Sequence, residues 1–432
     1  MVFNNIKNWP VWSLLKLSSF QILAMFRRGL FYTYLSIYLR NYLGLSVMET
    51  TLYATLPMIM NVIFQTFVWG PLSDKYQRRR TLIILGETLA GLGTILVWFI
   101  HYRIPNLYIA GFVIILGLSC IEIFWSSSNV GWSALISDLY APKRRSSIMG
   151  ILTSLGGAGR FIGILIGGLL YEQGLGFRLG WLFFIASIVM FISTIPIFFL
   201  PEGGFKLEKE KIEENNSDVT LYEKNNKRNQ NVLIFIIFII ALAFINFGRN
   251  SISVIYSQYL TLGSGFNVNS ILLSFIANTR SIATILIGFS AGALSKKMGY
   301  GVTLILGTFS SIIAILITAL TPSLSFMFVG SFLIGVGDVI ISASSYALAS
   351  ILIPPKKRGK LFAVYNMTFF LSWGLACTLI TAPLIDYLIL KGFGDLFAYK
   401  MAFLVAAGIC SIGLIIFLFL ELWRKIKKFN PN

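Results

Sequence analysis

The sequence predicts an all-α membrane protein, with twelve transmembrane helices arranged as two related six-helix bundles. Three observations predict it. The composition is too apolar for water, apolar runs of bilayer-crossing length recur from end to end, and one long polar stretch interrupts them near the middle. Of 432 residues, 56% are hydrophobic and 12% are charged, whereas soluble domains carry about 25% charged residues. No globular core hides that much apolar surface, so lipid is the natural solvent.

The runs lie at approximately 13–41, 48–71, 80–101, 106–137, 146–171, 178–200, 231–260, 268–294, 300–321, 325–352, 360–390 and 398–422. Each meets the roughly 20 residues needed to cross a bilayer core. Backbone in hydrocarbon must satisfy its own hydrogen bonds, so the runs are helices rather than open strands. Between the sixth and seventh lies Pro201 to Asn231, rich in Lys, Glu and Asn. Mixed charge without an apolar period reads as a flexible linker. The chain thus divides into a bundle at 1–200, a linker at 201–230 and a bundle at 231–432. Met1 to Pro10 is broken by Asn and Lys and does not read as a cleavable signal.

The net charge of +18 would suggest nucleic acid in a soluble protein. Here the basic residues sit mostly in short loops. Lys75 and Arg78 to Arg80 follow the second run, Lys143 to Arg145 the fourth, and Lys296 and Lys297 the eighth. Lys356, Lys357, Arg358 and Lys360 follow the tenth, and Arg424, Lys425, Lys427 and Lys428 the twelfth. The positive-inside rule then puts both termini in the cytoplasm of a multi-pass cell-membrane protein. Nucleic acid is not an expected partner. The cysteines Cys120, Cys377 and Cys410 fall within apolar runs without ligand spacing, and His101 is the one histidine. No metal, cofactor or enzymatic cluster is expected.

The halves read as relatives. Pro142-Lys143-Arg144-Arg145 follows the fourth run, and Pro355-Lys356-Lys357-Arg358 the tenth. Ser133-Ala134-Leu135 and Tyr346-Ala347-Leu348 precede them in register. Arg28 and Arg249 each stand ten residues before a Tyr-Leu pair, Tyr38-Leu39 and Tyr259-Leu260. Paired halves with a site between them are a recurring plan for secondary transporters.

Gly70-Pro-Leu-Ser-Asp74-Lys75-Tyr-Gln77-Arg78-Arg79-Arg80 resembles the cytoplasmic signature of the major facilitator superfamily, G-x-L-x-D-R/K-x-G-R-R/K, with Gln77 in the glycine position. Gly292-Ala-Leu-Ser-Lys296-Lys297 echoes it in the second half, with Lys296 replacing the acid. The resemblance implies a monomeric carrier that moves a small-molecule substrate by alternating access, with protons as the coupling partner. It implies that Gly70, Asp74, Lys75, Arg78 and Arg79 form a cytoplasmic gate, Asp74 facing the start of the eleventh run with Arg145 nearby. A carboxylate suits that place because a helix N-terminus is partly positive. On charge alone, the arginine run also serves topology.

In the fifth run, Gly159-Arg160-Phe-Ile-Gly163-Ile164-Leu-Ile-Gly167-Gly168 is similar to the G-x-x-x-G-P-x-x-G-G signature of drug–proton antiporters in that superfamily, with Ile164 where proline is expected. Small residues at that spacing let two helices approach closely.

Charge at mid-depth costs a few kcal/mol per group and marks a pathway by default. Arg28, Glu122, Arg160, Arg249, Arg280 and Asp338 fall there and are the candidate cavity residues. Glu122 and Asp338 are the candidate proton carriers. Glu122 with Arg160 is the expected structural ion pair. Glu87 lies nearer the cytoplasmic end of its run, and Asp386 near the outer end of the eleventh, where a solvated end charge is one reading. Adjacent residues on a helix point about 100° apart, so Arg27 is expected to pair between helices while Arg28 faces the cavity. Four arginines against two acids favour an anionic or polar solute, whereas the fifth-run signature and 15% aromatic content favour an amphipathic one. The reading adopted is proton-coupled export of small amphipathic solutes. Proton-coupled uptake of a small organic anion and a transport-inactive sensor are the alternatives.

Overall fold

The computed structural model describes residues 9–140, 142–203, 228–353 and 358–429. The described residues are helical throughout and contain no strand. The first half holds α1 (Trp9–Ile37), α2 (Val47–Tyr76), α3 (Arg79–Arg103), α4 (Leu107–Leu139), α5 (Pro142–Leu170) and α6 (Trp181–Phe198). The second holds α7 (Arg228–Asn250, resuming at Ile255–Thr261), α8 (Ser270–Met298), α9 (Tyr300–Leu320), α10 (Leu324–Leu352), α11 (Arg358–Ala376, resuming at Ala382–Leu390) and α12 (Asp395–Phe429). Eleven of these are long and apolar enough to cross a membrane. The twelfth, α1, is 29 residues long and carries Lys16, Arg27 and Arg28, which lower its apolarity. Most of the predicted linker lies outside the described residues.

Local chemistry sets the helix starts. Ser46 and Glu49 form a reciprocal capping box at the start of α2. Asn106 and Asn269 accept the backbone N–H groups of Ile109 and Leu272 at the starts of α4 and α8. Within α2 a π turn spans Gln65–Trp69, just before Pro71, which brings no N–H to the ladder. Gly70 closes that turn by donating to the Gln65 carbonyl, and a Cβ there would lie 2.7 Å from the same oxygen. The signature glycine is therefore required by the backbone. Gln77, in the other signature glycine position, takes the left-handed conformation at φ 52°.

Helices α1 and α5 form the closest pair. Cβ atoms at Gly159 and Gly163 would overlap the carbonyl oxygens of Ile22 and Phe26. The expectation of close approach along this stripe thus has its partner, α1. Helix α5 is continuous through Ile164, whose carbonyl accepts from Tyr34 Oη at 2.8 Å. On its other side α5 packs along α8, α2 packs on α11, and α1 meets the second segment of α7.

The core is divided unequally. One large cluster joins both halves at the face away from the basic loops, with Tyr38, Val47, Tyr53, Ile255, Tyr259, Cys377 and Tyr399 among its members. At the basic-loop face each half has its own cluster, Leu17, Phe20, Ile83 and Leu135 in one, and Phe238, Leu304, Phe417 and Leu420 in the other. Among the described residues the buried apolar core is shared at the far face and separate at the basic-loop face, where α5 and α8 still touch at Gly150, Ser154 and Gly288.

Packing at α1–α5 yields a prediction. Gly163→Val should lower the thermal unfolding temperature of the detergent-purified protein, because overpacking costs about 1–3 kcal/mol or more. Gly292→Ala, where nothing lies within 4 Å of a built Cβ, should leave it unchanged.

Candidate substrate cavity

The charged residues of the second half meet one another. Asp338 on α10 receives Arg249 Nη1 of α7 on Oδ1 at 2.5 Å and Arg280 Nη2 of α8 on Oδ2 at 2.6 Å. Arg280 Nε adds a second donor to Oδ2 at 2.8 Å. Arg249 Nε donates to Asn246 Oδ1, and Asn246 Nδ2 to Thr368 on α11. Both carboxylate oxygens are thus occupied by guanidinium groups, and the triad carries one positive charge in excess.

The first half solves the same problem with different residues. Counting back ten from the matched Leu135 and Leu348, Trp125 stands where Asp338 stands. Arg27, fully buried, donates to Glu87 Oε2 at 2.7 Å. Glu87 Oε1 accepts Trp125 Nε1 and Ser128 Oγ, each at 2.9 Å. Arg27 Nε and Nη2 have no hydrogen-bond partner; the guanidinium lies 3.7 Å from the Trp125 ring centroid, so a cation–π contact takes the place of further acceptors. Glu87 therefore belongs to a buried pair in the bundle. Its exposed-end position in the sequence gave little sign of it.

Arg28, Glu122 and Arg160 are left over. Arg28 is exposed in the middle of α1, its guanidinium 5.3 Å from the Trp125 ring. Arg160 is half-buried in the middle of α5. Among the described residues neither makes a hydrogen bond or an ion pair. Glu122 is buried and accepts from Asn61 Nδ2 on α2, whose Oδ1 accepts Gln65 Nε2 at 2.6 Å. The expected Glu122–Arg160 pair is not among the ion pairs of the described residues. Asn61 holds Glu122 within the first half, while the charges acting on Arg160 are those of Arg280, Asp338 and Arg28. Neither Asn61 nor Gln65 stood out in the sequence, although both are amides inside an apolar run.

Aromatic side chains wall this space. Tyr32 stacks on Trp125 at 6.5 Å and on Tyr53 at 6.2 Å, and meets Trp373 of α11 edge-on at 6.5 Å.

At the basic-loop face the signature folds into one turn. Arg79 is the buried arginine of the run; it donates to the Ser73 carbonyl and hydroxyl and lies 3.5 Å from both Asp74 and Asp138. Arg80 pairs with Glu202 at 2.9 Å. Lys75 and Arg78 are exposed, and the Asp74 side chain is 84% exposed; the side chains at the start of α11, its expected partner, lie outside the described residues. The side chain of Arg145 lies outside the described residues.

The far face is shut by contacts that the sequence did not announce. Asp386 of α11 accepts the backbone N–H groups of Val47 and Met48, at 3.1 and 2.8 Å, capping α2 from the opposite half. It is a cross-half cap, not a solvated end charge. Thr378 bridges Thr51 and Thr55 at 2.7 and 2.6 Å. Gln258 donates to Thr50 Oγ1 and accepts from Tyr399 Oη.

The family model described as Major Facilitator Superfamily matches residues 17–377 and, in a second match, 239–431. Over 395 residues the chain is 25% identical to "Multi-drug resistance efflux pump PmrA" of Streptococcus pneumoniae, covering 89% of this chain and 90% of that protein. "Multidrug resistance protein 2" of Bacillus subtilis is 24% identical over 232 residues, 52% of this chain and 53% of the relative. Among solved structures, a mutant of the nucleoside transporter NupG superposes with a TM-score of 0.71 at 13% identity, covering 94% of this chain and 99% of that one. A bacterial homologue of the human lysosomal transporter Spinster, inward-facing and occupied, gives 0.69 at 15% identity, over 96% and 97% of the chains. These last two establish the fold alone.

Two outcomes follow from the geometry. Arg27→Leu strands Glu87 and should cost about 3–5 kcal/mol, the usual loss when one partner of a buried pair is removed; Arg28→Gln should leave thermal stability nearly unchanged. Asp386→Ala should raise the rate at which a membrane-impermeant maleimide labels buried Cys377 from the far face, in a Cys120→Ser background, and Asp386→Asn should do so less.

Proposed function

The chain belongs to the major facilitator superfamily and is a membrane transporter of that type, and we propose that it exports small amphipathic solutes in exchange for protons. Glu122 carries the reading. It is a buried carboxylate with no ion-pair partner within 4 Å among the described residues, near enough to Arg28 for the two charges to interact. Asp338, the other candidate, has both oxygens taken; a proton there would displace an arginine. Glu122 can take a proton at the cost of one amide contact. The names of the two multidrug relatives support export.

The cycle follows from the division of the core. With the far face shut, solute enters from the basic-loop face, which positive loops assign to the cytoplasm. A solute with a positive group competes with the proton for Glu122, so the two are carried in opposite directions. Rocking the halves separates the Asp386 and Thr378 contacts and brings Asp74 toward the start of α11.

A second reading keeps one observation in its favour. Around the cavity five arginines (Arg27, Arg28, Arg160, Arg249, Arg280) face three acids (Glu87, Glu122, Asp338). An organic anion fits that excess, and its binding would be strengthened by a proton on Glu122, giving co-transport.

Proteoliposomes with an imposed pH gradient and a panel of fluorescent amphipaths of both charges separate these readings. Export predicts saturable dye movement against the proton flow. Glu122→Gln should abolish gradient dependence while sparing solute–solute exchange. Movement with the protons supports co-transport, gradient dependence that survives in Glu122→Gln contradicts the coupling role, and binding without flux favours a sensor.

A further inference from the structure

Every other membrane-embedded guanidinium named above has a committed partner. Arg27 has Glu87, and Arg249 and Arg280 share Asp338. Arg28 and Arg160 do not. They lie on the two helices that approach most closely, and the helices touch at their level, because a Cβ on Gly29 would overlap the Arg160 carbonyl oxygen. The charges of Arg28 and of Arg280 and Asp338 in the triad all act on Arg160. Two like charges on touching helices in the bundle repel one another; the acids that act on them, Glu122 on Arg28 and Asp338 on Arg160, do so without an ion pair within 4 Å among the described residues. Neither guanidinium donates a hydrogen bond to another described residue.

Glu122 is near enough to Arg28 for their charges to interact, but it is held by Asn61 of α2 rather than by an arginine. Tyr32, Trp125 and Trp373 form the wall. The cavity therefore offers an anion-binding arm, an aromatic wall and one acid.

We propose that Arg28 and Arg160 form a subsite for the carboxylate of an aromatic zwitterion, whose amine is taken by Glu122. Guanidinium groups match carboxylate geometry and are weakly hydrated, which suits a site emptied of water by a ligand. This assignment deepens the export reading and rests on it. A solute of this class competes with the proton through its amine and is anchored by its carboxylate, so excess arginine and antiport are compatible. It also gives the cavity a reason to keep two unpaired arginines beside an acid used for protons.

The test is binding to the full-length protein in detergent, read as thermal stabilisation, with three probes sharing one aromatic body. These are naphthylalanine, its methyl ester, which lacks the carboxylate, and its N-acetyl derivative, which lacks the charged amine. The zwitterion should bind roughly tenfold or more tightly than either truncated form, as expected for charged hydrogen bonds. Arg28→Gln and Arg160→Gln should each erase the advantage over the ester and keep the advantage over the N-acetyl form. Glu122→Gln should do the reverse, and Arg160→Lys should restore part of the loss. Equal binding of ester and zwitterion overturns the assignment, as does a uniform loss for all three probes in both arginine variants. Acetate stabilising as well as the zwitterion also overturns it, because the site then takes any small anion. Binding here needs no gradient. Failure in this assay with pH-driven dye export intact removes the subsite alone, and loss of gradient-driven export with selective binding retained removes the coupling reading alone.

Discussion

A charge carried into hydrocarbon must be matched by a partner or by water, and that constraint organises this molecule. Each half contains charge that would be unaffordable alone. The second half neutralises Asp338 with two arginines. The first half pairs Arg27 with Glu87 and lays the guanidinium on Trp125. Trp125 and Asp338 occupy matching positions in the two halves, so one duplicated scaffold answers the same need by cation–π contact on one side and by an ion pair on the other. Once those structural charges are accounted for, Arg28, Arg160 and Glu122 remain without an ion-pair partner within 4 Å among the described residues, and these are the groups we propose for the solute and the proton.

Helices α2 and α11 meet at the far face, and the family signature lies at the other end of α2. At the far face α11 reaches α2 through Asp386, whose carboxylate sits on the first N–H groups of α2. At the other face the resemblance to the family signature assigns Asp74 of α2 the mirror role toward the start of α11, and here that carboxylate is exposed. The far-face end of the α2–α11 contact is capped in this structure, and at the other end the Asp74 side chain is exposed. The division of the core agrees with this, with one cluster shared at the far face and separate clusters at the basic-loop face. Polar caps and threonine hydrogen bonds suit a contact that must break and re-form, since each is individually modest.

Much of this plan was legible in the sequence because bilayer physics is written in composition. Helix number, the two halves and the mid-depth charges follow from run length and from the rarity of ions among apolar residues. Arg28 was separable from Arg27 by helical phase, and the structure places one exposed and the other buried. Pairing was less legible. Glu122 looked complementary to Arg160, but an amide on α2 holds the acid and the second half surrounds the arginine with its own charges. Glu87 was discounted by its position along α3, although a partner on a neighbouring helix decides whether a charge is buried. Asp386 is an ordinary acid near a helix end in sequence; only the juxtaposition of α2 and α11 turns it into a cap. Helical phase tells which way a side chain points, and helix contacts tell what it meets.

We infer that the two halves rock about the substrate site from a state whose far face is held shut by Asp386 and Thr378. Spin-label distances test it most directly, in a background lacking Cys120, Cys377 and Cys410. One pair, at Tyr76 and Met298, reports the basic-loop face, and another, at Leu107 and Phe393, reports the far face; all four residues are exposed. Across a pH series with and without an amphipathic solute, the account predicts that the first distance shortens as the second lengthens. Distances that stay fixed, or that change in the same direction at both faces, would contradict it.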